Sequence, residues 1–192
     1  MSKISLNPTN DFCPQTLFLY GTYNDDGTPN FGLFCWASYC WDEDLCFMAC
    51  IGESKLTQDL IRKNGVFSAN LVTEKVLPLA DWMGNHAGRA GEKKDLNLEV
   101  EKGRVLDVPI LTASPVSFEL EVFKTVELKD NSVVFLCRIR NVLQDEELAD
   151  TGKTIEERIC AIAPVSTTCT TYFGWDGKPI AGWGEVAEKW HE

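Results

Sequence analysis

FCWASYCWDEDLCFMAC, residues 34–50, places four cysteines and two tryptophans within seventeen residues. Two readings compete: a metal or redox cluster, or a pair of strands whose cysteines fill a core. The cysteines are spaced C-x4-C-x5-C-x3-C. Zinc modules need C-x2-4-C knuckles on tight turns, and iron–sulfur patterns combine C-x2-C or C-x4-C-x2-C spacings, so the fit to a metal is poor. On a strand, Cys46 and Cys50 share a face as packing groups and do not converge on an ion. Asp42, Glu43 and Asp44 form a polar break, and residues 45–51, LCFMACI, are a continuous apolar run of strand length, as expected for a strand covered on both faces. The stretch is a hairpin by this argument, and most of the cysteines are expected to act as small buried hydrophobes.

Working outward, TLFLYGTYN (residues 16–24) has strand composition, and DDGTPN (residues 25–30) is a turn dense in Asp, Gly and Pro. FGLFCWASYCW (residues 31–41) then resumes the strand character. On the other side, in GESKLTQDLIRKNG, Leu56, Leu60 and Ile61 recur at helical spacing, Ser54 and Thr57 are candidate N-caps, and cations precede Gly65. This predicts a short helix over about residues 56–64. VFSANLV (residues 66–72) returns to strand, LPLADWM (residues 77–83) is a helix candidate, and GNHAGRAGEKKD (residues 84–95) is a glycine-rich, charged loop with the character of a functional segment. VSFELEVFKTVEL (residues 116–128) alternates Phe118, Leu120 and Val122 against Glu119, Glu121 and Phe123. After the turn KDNS, VVFLCRIRNVLQ (residues 133–144) pairs back as a long hairpin partner. EELADTGKTIEE (residues 146–157) is a polar connection that has room for a helical turn, and the tail carries aromatics punctuated by glycine.

The 192 residues suit one domain able to bury a full core without disulfides or a structural metal. A net charge of −11 with no Lys/Arg stripe disfavours nucleic acid, so any anionic ligand must be held by a local site working against the global field. No apolar run approaches the roughly 20 residues of a membrane span, and MSKISLNPTNDF has no apolar signal region. A cytoplasmic protein with free thiols is the expectation.

Three features bear on chemistry. A helix beginning near ESKLT presents unpaired N–H groups and the positive end of its dipole, so Ser54, Lys55 and Thr57 are placed either to hold a phosphate or simply to cap the helix. The loop offers Gly84, Gly88 and Gly91 for close backbone approach and His86, Arg89 and Lys93 as ligand contacts, although such loops are also common solvent-exposed connectors. Trp36, Tyr39, Trp41, Tyr172, Phe173 and Trp175 either line a planar ligand or fill a core. With two histidines and no orienting partner legible beside His86, a hydrolytic triad is disfavoured.

Taken in order, DDGTPNFGLFCWAS, SKLTQDLIRKNGVFSANL, GNHAGRAGEKK, DVPILTASPVSFELEVFKTVEL, FLCRIRNVLQDEEL and the closing YFGWDGKPIAGWG resemble the flavin reductase-like family, the FMN-binding split-barrel proteins of the flavoredoxin kind. The resemblance spans nearly the whole chain. It implies a mainly β fold, a split β-barrel with a few short helices over residues 1–192, and a homodimer with FMN at the subunit boundary. It implies that Ser54, Lys55 and Thr57 hold the phosphate, and that Trp36, Ala37 and Ser38 meet the ribityl chain and ring edge. Asn85, His86, Ala87, Gly88 and Arg89 would supply outer contacts, and Lys93 a further phosphate or dimer contact. The implied activity is NAD(P)H-dependent flavin reduction, with no side chain acting as acid or base and no metal. The alternatives are an FMN electron carrier reduced by a partner protein, and a protein of this fold that binds no flavin. No GxGxxG follows a strand, so NAD(P)H would bind directly over the exposed flavin face. Ala87 stands where the family often has a serine, the cysteines of CWASYCW are unusual for that strand, and DED replaces a proline-containing break. Whether Cys35 touches the flavin ring is an open question at the level of sequence; a cysteine in contact with it could tune or trap the flavin.

Overall fold

The computed structural model describes residues 3–93 and 96–191. The strands of the first half are β1 (Gln15–Thr16), β2 (Phe18–Tyr23), β3 (Pro29–Phe34), β4 (Ala37–Asp42), β5 (Asp44–Ile51) and β6 (Val66–Leu71), with helices α1 (Leu56–Asn64) and α2 (Leu77–Asn85). The second half adds β7 (Val100–Lys102), β8 (Pro109–Leu111), β9 (Val116–Glu127), β10 (Val133–Gln144), α3 (Ile155–Ile162), β11 (Ser166–Thr167), β12 (Thr171–Phe173) and β13 (Pro179–Gly182). The protein is mainly β, as expected.

The principal sheet has seven strands in the order β3-β2-β6-β9-β10-β5-β4, each paired antiparallel to its neighbour. Its two edge strands are consecutive in the chain, joined only by Cys35 and Trp36. Phe34 and Ala37 are three residue steps apart, at most about 11 Å, so the sheet must curl until its edges nearly meet. The edges do not pair with each other, and the result is a split barrel whose seam is the Cys35-Trp36 link. The opening stretch is the hairpin β4–β5, in register from Ala37↔Ala49 to Asp42↔Asp44, with Glu43 at φ 65° in the turn.

Strand β2 explains how one sheet serves two cores. Alternate side chains point to opposite faces: Phe18 and Tyr20 enter the barrel with Phe47, Phe67, Phe118 and Phe135, while Leu17 and Leu19 pack outward on Phe31, Leu77, Met83 and Tyr172. Burying each such side chain is worth roughly 1.5–3 kcal/mol. The outer core is what fixes α2 and the small sheet β1-β11-β12-β13 against the barrel wall.

Several expectations are corrected. Strand β5 is fully buried on its Phe47, Ala49, Ile51 face, whereas Met48 and Cys50 on the other face are half-buried, and Cys50 there borders a cleft. Only Cys46 and Cys137 are fully buried; Cys35, Cys40, Cys50 and Cys169 are half-buried and Cys13 and Cys160 exposed. Glu119, placed outward by strict alternation, is fully buried. Its carboxylate accepts from the N–H groups of Arg104, Val105 and Leu106 at 2.6–3.0 Å and from Asn141 Nδ2 at 2.8 Å. Burial pushes its pKa up, but these four donors outweigh burial and hold it below the ordinary value. The polar connection contains α3, opened by a capping box in which Thr154 Oγ1 accepts from Glu157 N–H and Glu157 accepts from Thr154 N–H. Residues 94 and 95 of the glycine-rich loop lie outside the described residues. Among the described residues, no helix is long and apolar enough to cross a membrane.

Candidate functional site

The chain leaves β5 at Ile51, turns through Gly52 and Glu53, and enters α1 with Lys55 as N-cap. Neither Ser54 nor Thr57 caps it: Gln58 Oε1 accepts from the Lys55 N–H at 3.4 Å, and Thr57 is already the second residue of the helix. Thr57 Oγ1 accepts from Asn30 Nδ2 at 3.0 Å, which leaves the hydroxyl hydrogen to be donated elsewhere. The first-turn N–H groups of α1 and its positive dipole end face the same cleft.

That cleft has two lobes sharing Leu33, Phe34, Lys55 and Gly84. The polar lobe, about 280 Å³, is lined by Ser54, Lys55 and Thr57 from one side and by Asn85, His86, Ala87, Gly88, Arg89 and Lys93 from the other. Arg89 Nη2 donates to Ser54 Oγ at 3.0 Å and pairs with Asp59, so its guanidinium is fixed over the helix start. Lys93 Nζ donates to the Phe31 carbonyl at 3.0 Å. Burial lowers its pKa to about 8, against the opposing pull of the Glu92 carboxylate and with Lys55 reinforcing the drop. Three cations thus converge locally in a chain of net charge −11. His86 is held by Trp82, stacked at 3.9 Å with Nδ1 2.7 Å from the Trp82 carbonyl, and is positioned as a wall.

The apolar lobe, about 410 Å³, is lined by Leu17, Leu33, Phe34, Cys35, Trp36, Cys50, Gly52, Cys169 and Trp183 among others. Trp183 reaches it from the C-terminal tail. Its indole N–H donates to Asn85 Oδ1 at 2.8 Å, and Asn85 Nδ2 in turn donates to Asp81. The buried Asp81 carboxylate also accepts from Tyr172 OH at 2.7 Å and from the N–H groups of Gly184 and Val186 at 2.8 and 3.1 Å. This hub is what ties the tail to α2. Gly84 is required where the indole lies: a Cβ there would stand 2.7 Å from Trp183 Cη2. Cys35 Sγ lies 3.6 Å from Cys169 Sγ; burial, then the neighbouring Cys169, pushes the Cys35 thiol up to about 12.

Of the twelve residues singled out in the sequence, ten line the cleft: Trp36 in the apolar lobe and the nine from Ser54 to Lys93 in the polar lobe. Ala37 and Ser38 line neither lobe, because β4 leaves the seam at once to pair with β5. The downstream aromatics are also reassigned. Tyr172 is a core residue on Asp81, Trp175 is exposed, and Trp183 takes the lining role. Asn30 and Phe34 lie within DDGTPNFGLFCWAS but were not singled out there, and Cys169 and Trp183 carried no local signal, since each comes to the cleft from the distant end of the chain. Among the described residues no cluster of three or more His, Cys, Asp or Glu is placed to hold a metal. The arrangement suits an amphipathic ligand with an apolar, planar end and an anionic end.

Residues 11–162 match the profile of the flavin reductase like domain. The fold is similar to that of the flavoredoxin of Desulfovibrio vulgaris, with a TM-score of 0.79 and 24% identity over 94% of this chain and 96% of that one. It is also similar to an FMN-binding protein from Thermus thermophilus, solved with bound p-hydroxybenzaldehyde, with a TM-score of 0.73 and 21% identity over 94% and 97% of the two chains. A protein of Aeropyrum pernix described only as uncharacterized is 31% identical over 85 residues, a match spanning 43% of this chain and 32%, about a third, of that protein.

Proposed function

The chain belongs to the flavin reductase-like family, and on that premise we propose that it is an FMN-binding oxidoreductase that reduces flavin at the expense of NAD(P)H. The observation that carries this reading is the continuity of a cationic lobe at the start of α1 with an apolar lobe of aromatic and sulfur side chains. Bound FMN would supply the redox chemistry, taking up a hydride at its N5.

The chain's own residues bind, orient and exclude water. Lys55, Arg89 and Lys93 oppose a phosphate's charge, while Ser54, Thr57 and the first-turn N–H groups of α1 offer hydrogen bonds. Trp36 and Trp183 enclose a planar ring from the seam and from the tail. The polar contact often supplied by a serine is missing at Ala87, whose N–H already donates to Glu92 Oε2 at 2.7 Å.

A homodimer belongs to the same proposal. Edge strand β4 exposes Tyr39 and Trp41 beside Leu45, an apolar patch suited to a second copy. The net charge of −11 also supports a second reading, a flavin carrier that docks a complementary redox partner. The free thiols suit a cytoplasmic setting.

Anaerobic incubation of the purified protein with FMN and NADH or NADPH separates the two. Nicotinamide consumption well above that of free flavin supports the reductase; tight FMN with negligible consumption supports the carrier. A protein that is colourless after FMN addition and removal of the free flavin overturns both.

A further inference from the structure

Cys35 sits in the two-residue seam between β3 and β4, and Cys169 in the turn between β11 and β12. They are 134 residues apart in sequence, yet their sulfurs are 3.6 Å apart in the wall of the apolar lobe. The Cys169 backbone is at φ 71°, the left-handed region that a non-glycine residue enters only at a cost. Its N–H donates to Thr167 Oγ1 at 3.0 Å, which holds the turn. Both sulfurs are half-buried and border open cleft space. The two sulfurs are not equivalent: Asn10 Nδ2 donates to Cys169 Sγ at 3.4 Å and to the neighbouring Thr168 carbonyl at 3.1 Å.

We propose that Cys35 and Cys169 form a reversible dithiol–disulfide couple that exchanges two electrons with small thiol or disulfide compounds entering the apolar lobe. The step needs no flavin and goes beyond the reading above. Cys169 is the attacking sulfur, because charge on it is met by the Asn10 amide and by the Cys35 thiol, which burial keeps protonated and able to donate. Attack on an incoming disulfide R–S–S–R′ forms the Cys169–S–R bond and releases R′S⁻, which takes the proton lost from Cys169. The Cys35 sulfur then attacks Cys169, forming the Cys35–Cys169 bond and releasing RS⁻, which takes the Cys35 proton. Two protein thiols are oxidised and one disulfide is reduced to two thiols. A disulfide bond is about 2 Å long, so closing it from contact distance requires only a small side-chain and turn adjustment. The other adjacent pair, Cys40↔Cys46 across β4 and β5, has the Cys46 sulfur engaged by Arg138 Nη1 at 3.2 Å and fully buried, away from an entering reagent.

The test equilibrates the full-length, flavin-free protein in glutathione buffers of graded oxidised-to-reduced ratio, followed by acid quenching, alkylation and peptide mapping. The expected result is the loss of two alkylatable thiols, one cross-linked peptide joining Cys35 to Cys169, and full recovery with dithiothreitol. In C35S, Cys169 accumulates as the glutathione mixed disulfide several-fold more than Cys35 does in C169S. The proposal is overturned if Cys35 and Cys169 stay alkylatable at every ratio, or if the cross-link joins other cysteines such as Cys40 and Cys46. Because the wild-type protein carries the primary readout and no flavin is present, failure here is distinguishable from failure to bind FMN.

Discussion

The two lobes of the cleft differ in how they are built. The polar lobe comes mainly from two continuous segments, the entry to α1 and the loop after α2, and its contacts are charges and hydrogen bonds. The apolar lobe is assembled from Leu17 before β2, from β3, the seam, the end of β5, the β11–β12 turn and the tail, and its contacts are largely rings and sulfurs. A binding site of this kind separates recognition of the anionic end, a local property of a helix start, from enclosure of the planar end, a property of the whole fold. The two are coupled at Asn85, which lines the polar lobe while holding the Trp183 indole of the apolar one.

The largest expected effect strikes the anchor beneath both lobes. Asp81→Ala leaves Tyr172 OH and the N–H groups of Gly184 and Val186 without their acceptor, while Asn85 Nδ2 keeps only the Asp81 backbone carbonyl. A loss of about 3 kcal/mol or more is predicted in urea unfolding, and an unchanged midpoint would show that the tail is held by packing alone.

Next, Lys55→Ala combined with Thr57→Ala removes the cation and the hydroxyl at the start of α1. Losing a charge-assisted and a neutral hydrogen bond is worth about 2–4 kcal/mol, a fall of order 100-fold in FMN affinity with riboflavin affinity unmoved. A parallel loss for riboflavin in fluorescence titrations would mean that the lobes are not separable.

Trp183→Ala makes the complementary cut. Removing one enclosing ring should weaken FMN and riboflavin together by about tenfold. A loss confined to FMN would place the phosphate in the wrong lobe.

The smallest effect is a pH dependence carried by Lys93. Its cation prevails below about 8, so FMN affinity should decline as pH rises through that value, and Lys93→Met should flatten the profile. The same depressed pKa means that the unfolded chain holds the extra proton between about 8 and the ordinary 10.5, so this group's contribution to stability rises with pH across that window. A wild-type affinity profile that is flat from pH 7 to 9 would remove Lys93 from the phosphate site.

The same division explains what was legible in the sequence. The hairpins, α1 and α2 follow from local periodicity and turn residues, and nine of the polar-lobe residues fall within two short motifs. The curl that brings β3 and β4 to the seam is a long-range result of sheet order, so Cys169 and Trp183 gave no signal beside Cys35 and Trp36. Glu119 keeps its place on the face opposite Phe118 and Leu120, but the 103–106 loop covers that face and donates three N–H groups to it, a covering invisible along the strand. Helix α3 was legible in principle, through Thr154 and Glu157 at capping-box spacing. The cysteines misled because a half-buried sulfur at a cleft and a buried one in a core share the same strand context.

The central claim is that one cleft recognises a phosphate in its polar lobe and a flavin ring in its apolar lobe. Parallel titration of the wild-type protein with FMN and riboflavin tests it most directly. The account predicts one site per chain, with FMN held at least tenfold more tightly than riboflavin, a difference of about 1.4 kcal/mol. Equal affinities for the two ligands, or no binding of either, would contradict it.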